Sequence, residues 1–128
     1  MGHIAEQVHG KFKVFAGPLN ADDTIGSLAD EISGFVRDSK AAAKSIGVEY
    51  LESADRLIIT LGYRDDEESY PVKISSVSLG KIETLGGNFD ELERKMTEAS
   101  AKFSNIICHE LYVTGDHDFM MIFMTHEQ

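Results

Sequence analysis

The chain has 128 residues, of which 42% are hydrophobic and 27% charged, and its 22 acidic and 12 basic residues give a formal net charge of −10. This composition is typical of a globular domain, not of a disordered chain. A net anion without a Lys/Arg cluster is repelled by phosphate, so we expect neither nucleic acid nor a membrane as a partner. The single cysteine excludes a disulfide framework and favours a reducing, cytoplasmic location. The chain also lacks a long apolar run and a signal-peptide pattern.

The first elements are a strand and a helix. Residues 1–10 are polar and are expected to fray, and residues 11–16 alternate apolar residues with lysines, as edge strands do. Residues 24–38 predict an amphipathic helix that Asp22 or Asp23 can cap, and the alanines that follow could extend it. Its apolar stripe consists of Ile25, Leu28, Ile32, Phe35 and Val36.

Three strands are predicted next, at residues 45–52, 56–63 and 70–79. The last of them changes the parity of its apolar residues partway along. A β-bulge at Ser75 and Ser76 would restore one apolar face. The clearest apolar face is that of the middle strand, formed by Leu57, Ile59, Leu61 and Tyr63.

A second helix follows a glycine-containing loop at 80–87. Asn88 is a suitable N-cap, and Glu91 stands three residues later, as in a capping box. The predicted buried stripe consists of Phe89, Leu92, Met96, Ala99 and Phe103. We expect the core to be built mainly from the two helical stripes and the middle strand.

Residues 105–126 predict a β-hairpin around a turn of Gly and Asp. A two-residue turn and a four-residue loop give the same register, in which Thr114 lies opposite Phe119. Because successive side chains alternate between faces, this register defines two apolar surfaces. The mainly aliphatic one consists of Ile107, Leu111, Val113, Met120, Ile122 and Met124. The mainly aromatic and thioether one consists of Tyr112, Phe119, Met121 and Phe123.

The element order β-α-βββ-α-ββ predicts a single α+β domain over residues 1–128. We expect a two-layer sandwich, a mostly antiparallel sheet with two helices on one face. The hairpin then has a second apolar face without a cover. A homo-oligomer, most simply a dimer, would bury it at a subunit interface. Alternatively, the N-terminal segment or a strongly coiled sheet covers it within one chain.

No pattern in the sequence carries a recognisable chemistry. Cys108 and His109 are adjacent on a strand and point to opposite faces, so they form no thiol–imidazole dyad, and Cys108 is read as a small buried hydrophobe. In the predicted register His109 and His126 share a face, but no third metal ligand is identifiable, so we expect no metal and no cofactor. The acidic run at 65–68 lacks the calcium-loop spacing and is expected to be solvated.

The leading hypothesis is a non-enzymatic protein that acts through homo-oligomerisation and through binding of a protein partner or small ligand. Two alternatives stay open. One is a small enzyme with a site assembled between subunits from His109 and neighbouring acidic groups such as Glu110. The other is an acidic inhibitor or immunity-type protein. The candidate residues for ligand or partner binding are His109, Tyr112, Phe119, Met121, Phe123 and His126.

Overall fold

A computed structural model describes residues 10–18, 24–114 and 117–127. The strands are β1 (Lys11–Pro18), β2 (Ala42–Leu51), β3 (Arg56–Arg64), β4 (Val72–Lys81), β5 (Ile106–Val113) and β6 (Asp118–His126). The helices are α1 (Thr24–Ser39), the short α2 (Ile82–Leu85) and α3 (Phe89–Ser100). The predicted fraying before Gly10 and the predicted caps Asp22 and Asp23 fall outside the described residues.

The predicted α+β class, antiparallel pairing and element order are confirmed, and the strands form two three-stranded sheets. Sheet A has the order β1-β3-β2, and sheet B has the order β4-β6-β5. Each half of the chain is therefore a strand, a helical segment and a hairpin, with the last strand in the centre of its sheet. This repeat of topology has no counterpart in the sequence, where no internal repeat is visible.

The main core lies between the two sheets and is filled by α1. The helix contacts β1 of one sheet and β4 of the other. Its apolar stripe packs against buried residues of both sheets, because the core cluster joins Leu28, Ile32 and Val36 to Ile59 and Ile122. The sequence left the end of this helix open, because alanines follow it. The helix ends at Ser39, and Lys40 takes a left-handed backbone conformation with φ 52°.

Sheet B is covered on both faces. Its second face packs under α2 and α3, in a cluster that contains Leu85, Leu92, Met121 and Phe123. The sequence placed both helices over one face of one sheet, whereas here α1 lies between the sheets and α3 lies on the far face of sheet B. Among the described residues, no helix is long and apolar enough to cross a membrane.

The predicted register of the hairpin is wrong by one residue. Phe119 pairs with Val113 and not with Thr114, and Leu111 pairs with Met121. Thr114 and Asp118 close the hairpin through a backbone hydrogen bond of 3.0 Å, so the connection has an odd number of residues where the prediction assumed an even one. A slip of one residue exchanges the faces of a strand. Leu111 therefore joins Met121 and Phe123 under α3.

Two smaller predictions were also wrong. The bulge in β4 lies between Ser78 and Gly80 and not at residues 75–76. The change of parity in β4 arises because both of its faces are covered, so that Ile74 packs towards α1 and Val77 towards α3. Phe89, assigned to the buried stripe of the second helix, is 66% exposed at the first position of α3.

Asn88 caps α3 as predicted, since its side-chain oxygen accepts a hydrogen bond of 3.1 Å from the Glu91 amide.

The acidic run between the two halves, residues 65–68, is neutralised by basic residues of sheet A. The ion pairs are Lys11–Asp65 at 2.6 Å, Arg64–Asp66 at 2.7 Å and Lys44–Glu67 at 2.5 Å. They hold the connection between the halves against sheet A.

Candidate functional site

The two halves meet along a seam between β2 and β5. These strands lie side by side, but within the described ranges no ladder of hydrogen bonds joins the two sheets. They hold equivalent positions in the two halves, and both carry a β-bulge near their start, at Ala43/Ser45 and at Ile106/Cys108. The two bulges interrupt pairing within the sheets, of β2 with β3 and of β5 with β6. A cleft lies at each end of the seam.

The cleft at the start of the two strands is named the His126 cleft and has a volume of about 460 Å³. Its polar side chains other than His126 already have a hydrogen-bond or ion-pair partner. Lys44 binds Glu67, the Tyr70 hydroxyl donates to Glu68, and the Tyr70 ring lies edge-on to His126 with centroids 5.5 Å apart. A ligand entering here would have to break these contacts.

The cleft at the other end, also about 460 Å³, is named the Tyr112 cleft. Its residues come from the ends of β2 and β5, which shows that the two strands run in the same direction. Its apolar lining consists of Val48, Leu111 and Val113. A cleft of a few hundred Å³ with an apolar lining and a few convergent polar groups is the usual form of a small-ligand site.

Tyr112 is the distinctive group of this cleft. It is only 8% exposed and packs in the main core. Within the described residues, its hydroxyl neither donates nor accepts a hydrogen bond. No side-chain polar atom that is sealed from solvent lacks a partner in that part of the chain, so the hydroxyl oxygen reaches solvent, and Tyr112 lines the cleft. Burial alone raises the pKa of Tyr112 to about 12, because the ionised form would lose its hydration.

The mouth of the Tyr112 cleft is polar and mainly acidic. Glu49 at the end of β2 and Glu52 in the 3₁₀ turn that follows are exposed, and neither forms an ion pair with any other described residue. His117 and Thr114 line the opposite side, next to the hairpin connection. Tyr50 is the second aromatic wall, and its hydroxyl donates to an Asp55 carboxylate oxygen at 3.3 Å.

The six residues that the sequence proposed for binding do not form one site. Met121 and Phe123 are buried under α3, where the Phe103 and Phe123 rings lie 4.8 Å apart, and Phe119 packs at the edge of the same cluster. His109 is exposed, with its ring 6.4 Å from that of Phe123. The remaining two line different clefts: Tyr112 lines one and His126 the other.

The observed register also separates the histidine pair considered for a metal. His109 lies opposite Phe123, and His126 follows three residues later on β6, so the two imidazoles point to opposite faces. Among the described residues, no group of three or more His, Cys, Asp and Glu side chains is placed to hold a metal ion.

Cys108 is partly buried, and the Ile46 amide across the seam donates a hydrogen bond to its sulfur.

Sequence reasoning found Tyr112 but missed the residues opposite it. Glu49, Tyr50 and Glu52 are separated from Tyr112 by about sixty positions, and no local pattern brings them together. The one available signal was the end of β2, where Tyr50 stands between Glu49 and Glu52 just before a turn.

Comparisons with protein-family models, with curated proteins and with solved structures find no match for this chain. The fold and the cleft therefore define a class and no family: an α+β protein of two βαββ halves with a cleft at the seam between them.

Proposed function

We propose that the protein is a non-enzymatic binding protein that holds a small ligand in the Tyr112 cleft. The observation that carries the proposal is the Tyr112 hydroxyl, a polar group without a hydrogen-bond partner among the described residues, on a nine-tenths buried side chain that lines a cleft. Because the hydroxyl reaches solvent, water can bond it in the free protein. A ligand that replaces this water can keep the hydrogen bond and add apolar contact with the cleft.

The competing hypotheses have less support. The enzyme hypothesis combined His109 with Glu110, but adjacent residues of β5 point to opposite faces, and His109 does not line either cleft of the seam. In the His126 cleft the polar side chains other than His126 are already paired with one another, Lys44 with Glu67 and Tyr70 with Glu68. No described feature of the acidic surface favours an inhibitor over any other acidic protein.

A fragment titration followed by amide NMR tests the proposal. We expect binding fragments to shift the amide signals of residues 48–52 and 111–114 together, because these segments form the two walls of the Tyr112 cleft. Tyr112→Phe removes only the hydroxyl and should weaken binding by about fivefold or more, since a hydrogen bond contributes about 1 kcal/mol. Tyr63→Phe is the matched control, because Tyr63 packs on Phe35 with ring centroids 5.2 Å apart and lines neither cleft. Shifts confined to other surfaces would contradict the proposal.

We also propose a homodimer, formed through the outer face of sheet A. This face is the side of sheet A turned away from α1, where Phe12 and Val14 are 64% and 58% exposed. Both faces of sheet B are buried, one against α1 and the other under α2 and α3, whereas the outer face of sheet A is an exposed apolar surface that a second copy could cover.

Analytical ultracentrifugation tests the dimer. We expect the wild-type protein to sediment as a dimer at micromolar concentration and Val14→Asp to sediment as a monomer. Phe89→Asp, which adds the same charge at an exposed apolar position on α3, should remain dimeric. A monomeric wild-type protein would reject the proposal.

A further inference from the structure

We infer that the ligand of the Tyr112 cleft is a small organic cation, an amine with an apolar body. This inference rests on the proposed function and adds to it the chemical class of the ligand. It depends on three properties of the cleft: the charge at its mouth, its pair of aromatic side chains and the lack of a metal-ligand set in its lining.

The charge at the mouth favours a cation. Two carboxylates, Glu49 and Glu52, line it without an ion pair to any other described residue. The only lining side chain that can carry a positive charge is His117, among the residues described. The acidic run between the halves, by comparison, is paired with Lys11, Lys44 and Arg64. The net charge of −10 adds a field that attracts cations and repels anions.

The aromatic pair gives the same preference. Tyr50 and Tyr112 come from neighbouring strands and both line the cleft. Aromatic faces attract ammonium groups, and paired aromatic walls are a recurring feature of sites that bind organic amines. The Tyr112 hydroxyl can accept a hydrogen bond from an ammonium group, which carries donors and no acceptor.

The lining explains why a metal ion is a poor occupant. Its two carboxylates are too few, since among the described residues no group of three or more His, Cys, Asp and Glu side chains is placed to hold a metal ion. An apolar body gains free energy by leaving water against Val48 and the tyrosine rings. An amine on a small aromatic or aliphatic body satisfies the apolar and the acidic parts of the lining together.

Three probes of similar size and different charge test the ligand class: phenethylamine, 2-phenylethanol and phenylacetate, titrated by NMR and by calorimetry. We expect phenethylamine to bind in the Tyr112 cleft and the other two to bind at least tenfold more weakly. Glu49→Gln and Glu52→Gln should each weaken phenethylamine by about fivefold, the effect of one charge a few ångströms away in water. Glu83→Gln, which removes an exposed carboxylate of α2 outside the cleft, should have no effect.

The outcomes separate the two proposals. If 2-phenylethanol or phenylacetate binds in the cleft as tightly as phenethylamine and depends on the Tyr112 hydroxyl, the ligand class is wrong and the binding function stands. If no probe binds at millimolar concentration, both proposals fail. If Glu83→Gln weakens phenethylamine as much as Glu52→Gln does, the binding reflects the overall charge of the chain, and the inference is overturned.

Discussion

Cys108 shows how burial decides the chemistry of a single residue. Desolvation raises the pKa of its thiol from 9.0 to about 11, and Glu110 adds to the effect, while the hydrogen bond from the Ile46 amide opposes it. The thiol is therefore protonated near neutral pH, and the thiolate, the reactive form, is scarce. This agrees with the sequence interpretation of Cys108 as a packed side chain.

The raised pKa of Cys108 predicts a loss of stability in alkali. The thiol ionises in the unfolded chain from about pH 9 and in the folded chain only near pH 11, so its contribution to the free energy of unfolding is complete below pH 9 and falls as the pH rises to 11. Urea denaturation at pH 8 and pH 10.5 should show a larger drop for the wild-type protein than for Cys108→Ala. Equal drops in the two proteins would show that the thiol is not desolvated.

The C-terminal hairpin shows what an element-level pattern can and cannot predict. Its position and its two apolar faces followed from alternation alone. Its register did not, because the parity of the connection between Thr114 and Asp118 decides which residues share a face. The second apolar face, which motivated the oligomer at the hairpin, is covered by α3 within the same chain. Cover from within one chain was the alternative that the sequence left open, although the covering element expected there was the N-terminal segment or a strongly coiled sheet and not α3.

Two phenylalanines on neighbouring elements test this burial. Phe123→Ala should lower the free energy of unfolding by about 3–5 kcal/mol, because it leaves a cavity under α3. Phe89→Ala is the matched control and should change stability by less than about 0.5 kcal/mol, since its side chain is 66% exposed where that of Phe123 is 1% exposed. Chemical denaturation measures both. A cost below about 1 kcal/mol for Phe123→Ala would mean that α3 does not cover this face.

At the scale of the whole molecule, local signals predicted the order of the elements and most of the core. Ile32 and Leu92 are buried where helical spacing placed them. The division into two sheets was not predictable from these signals, because the contact between β2 and β5 joins strands from different halves. The Tyr112 cleft depends on that contact. This is why one side of the cleft was found from the sequence and the other side was not.

The state of the Tyr112 hydroxyl is the central claim, and NMR of protein labelled with ¹³C at the tyrosine Cζ atoms tests it most directly. The four tyrosine signals can be assigned with single Tyr→Phe variants. We predict that the Tyr112 signal titrates near pH 12 and shifts when phenethylamine is added, while the Tyr63 signal is unaffected by the amine. A Tyr112 signal that titrates near pH 10, the ordinary value for tyrosine, and does not respond to the amine would contradict the account.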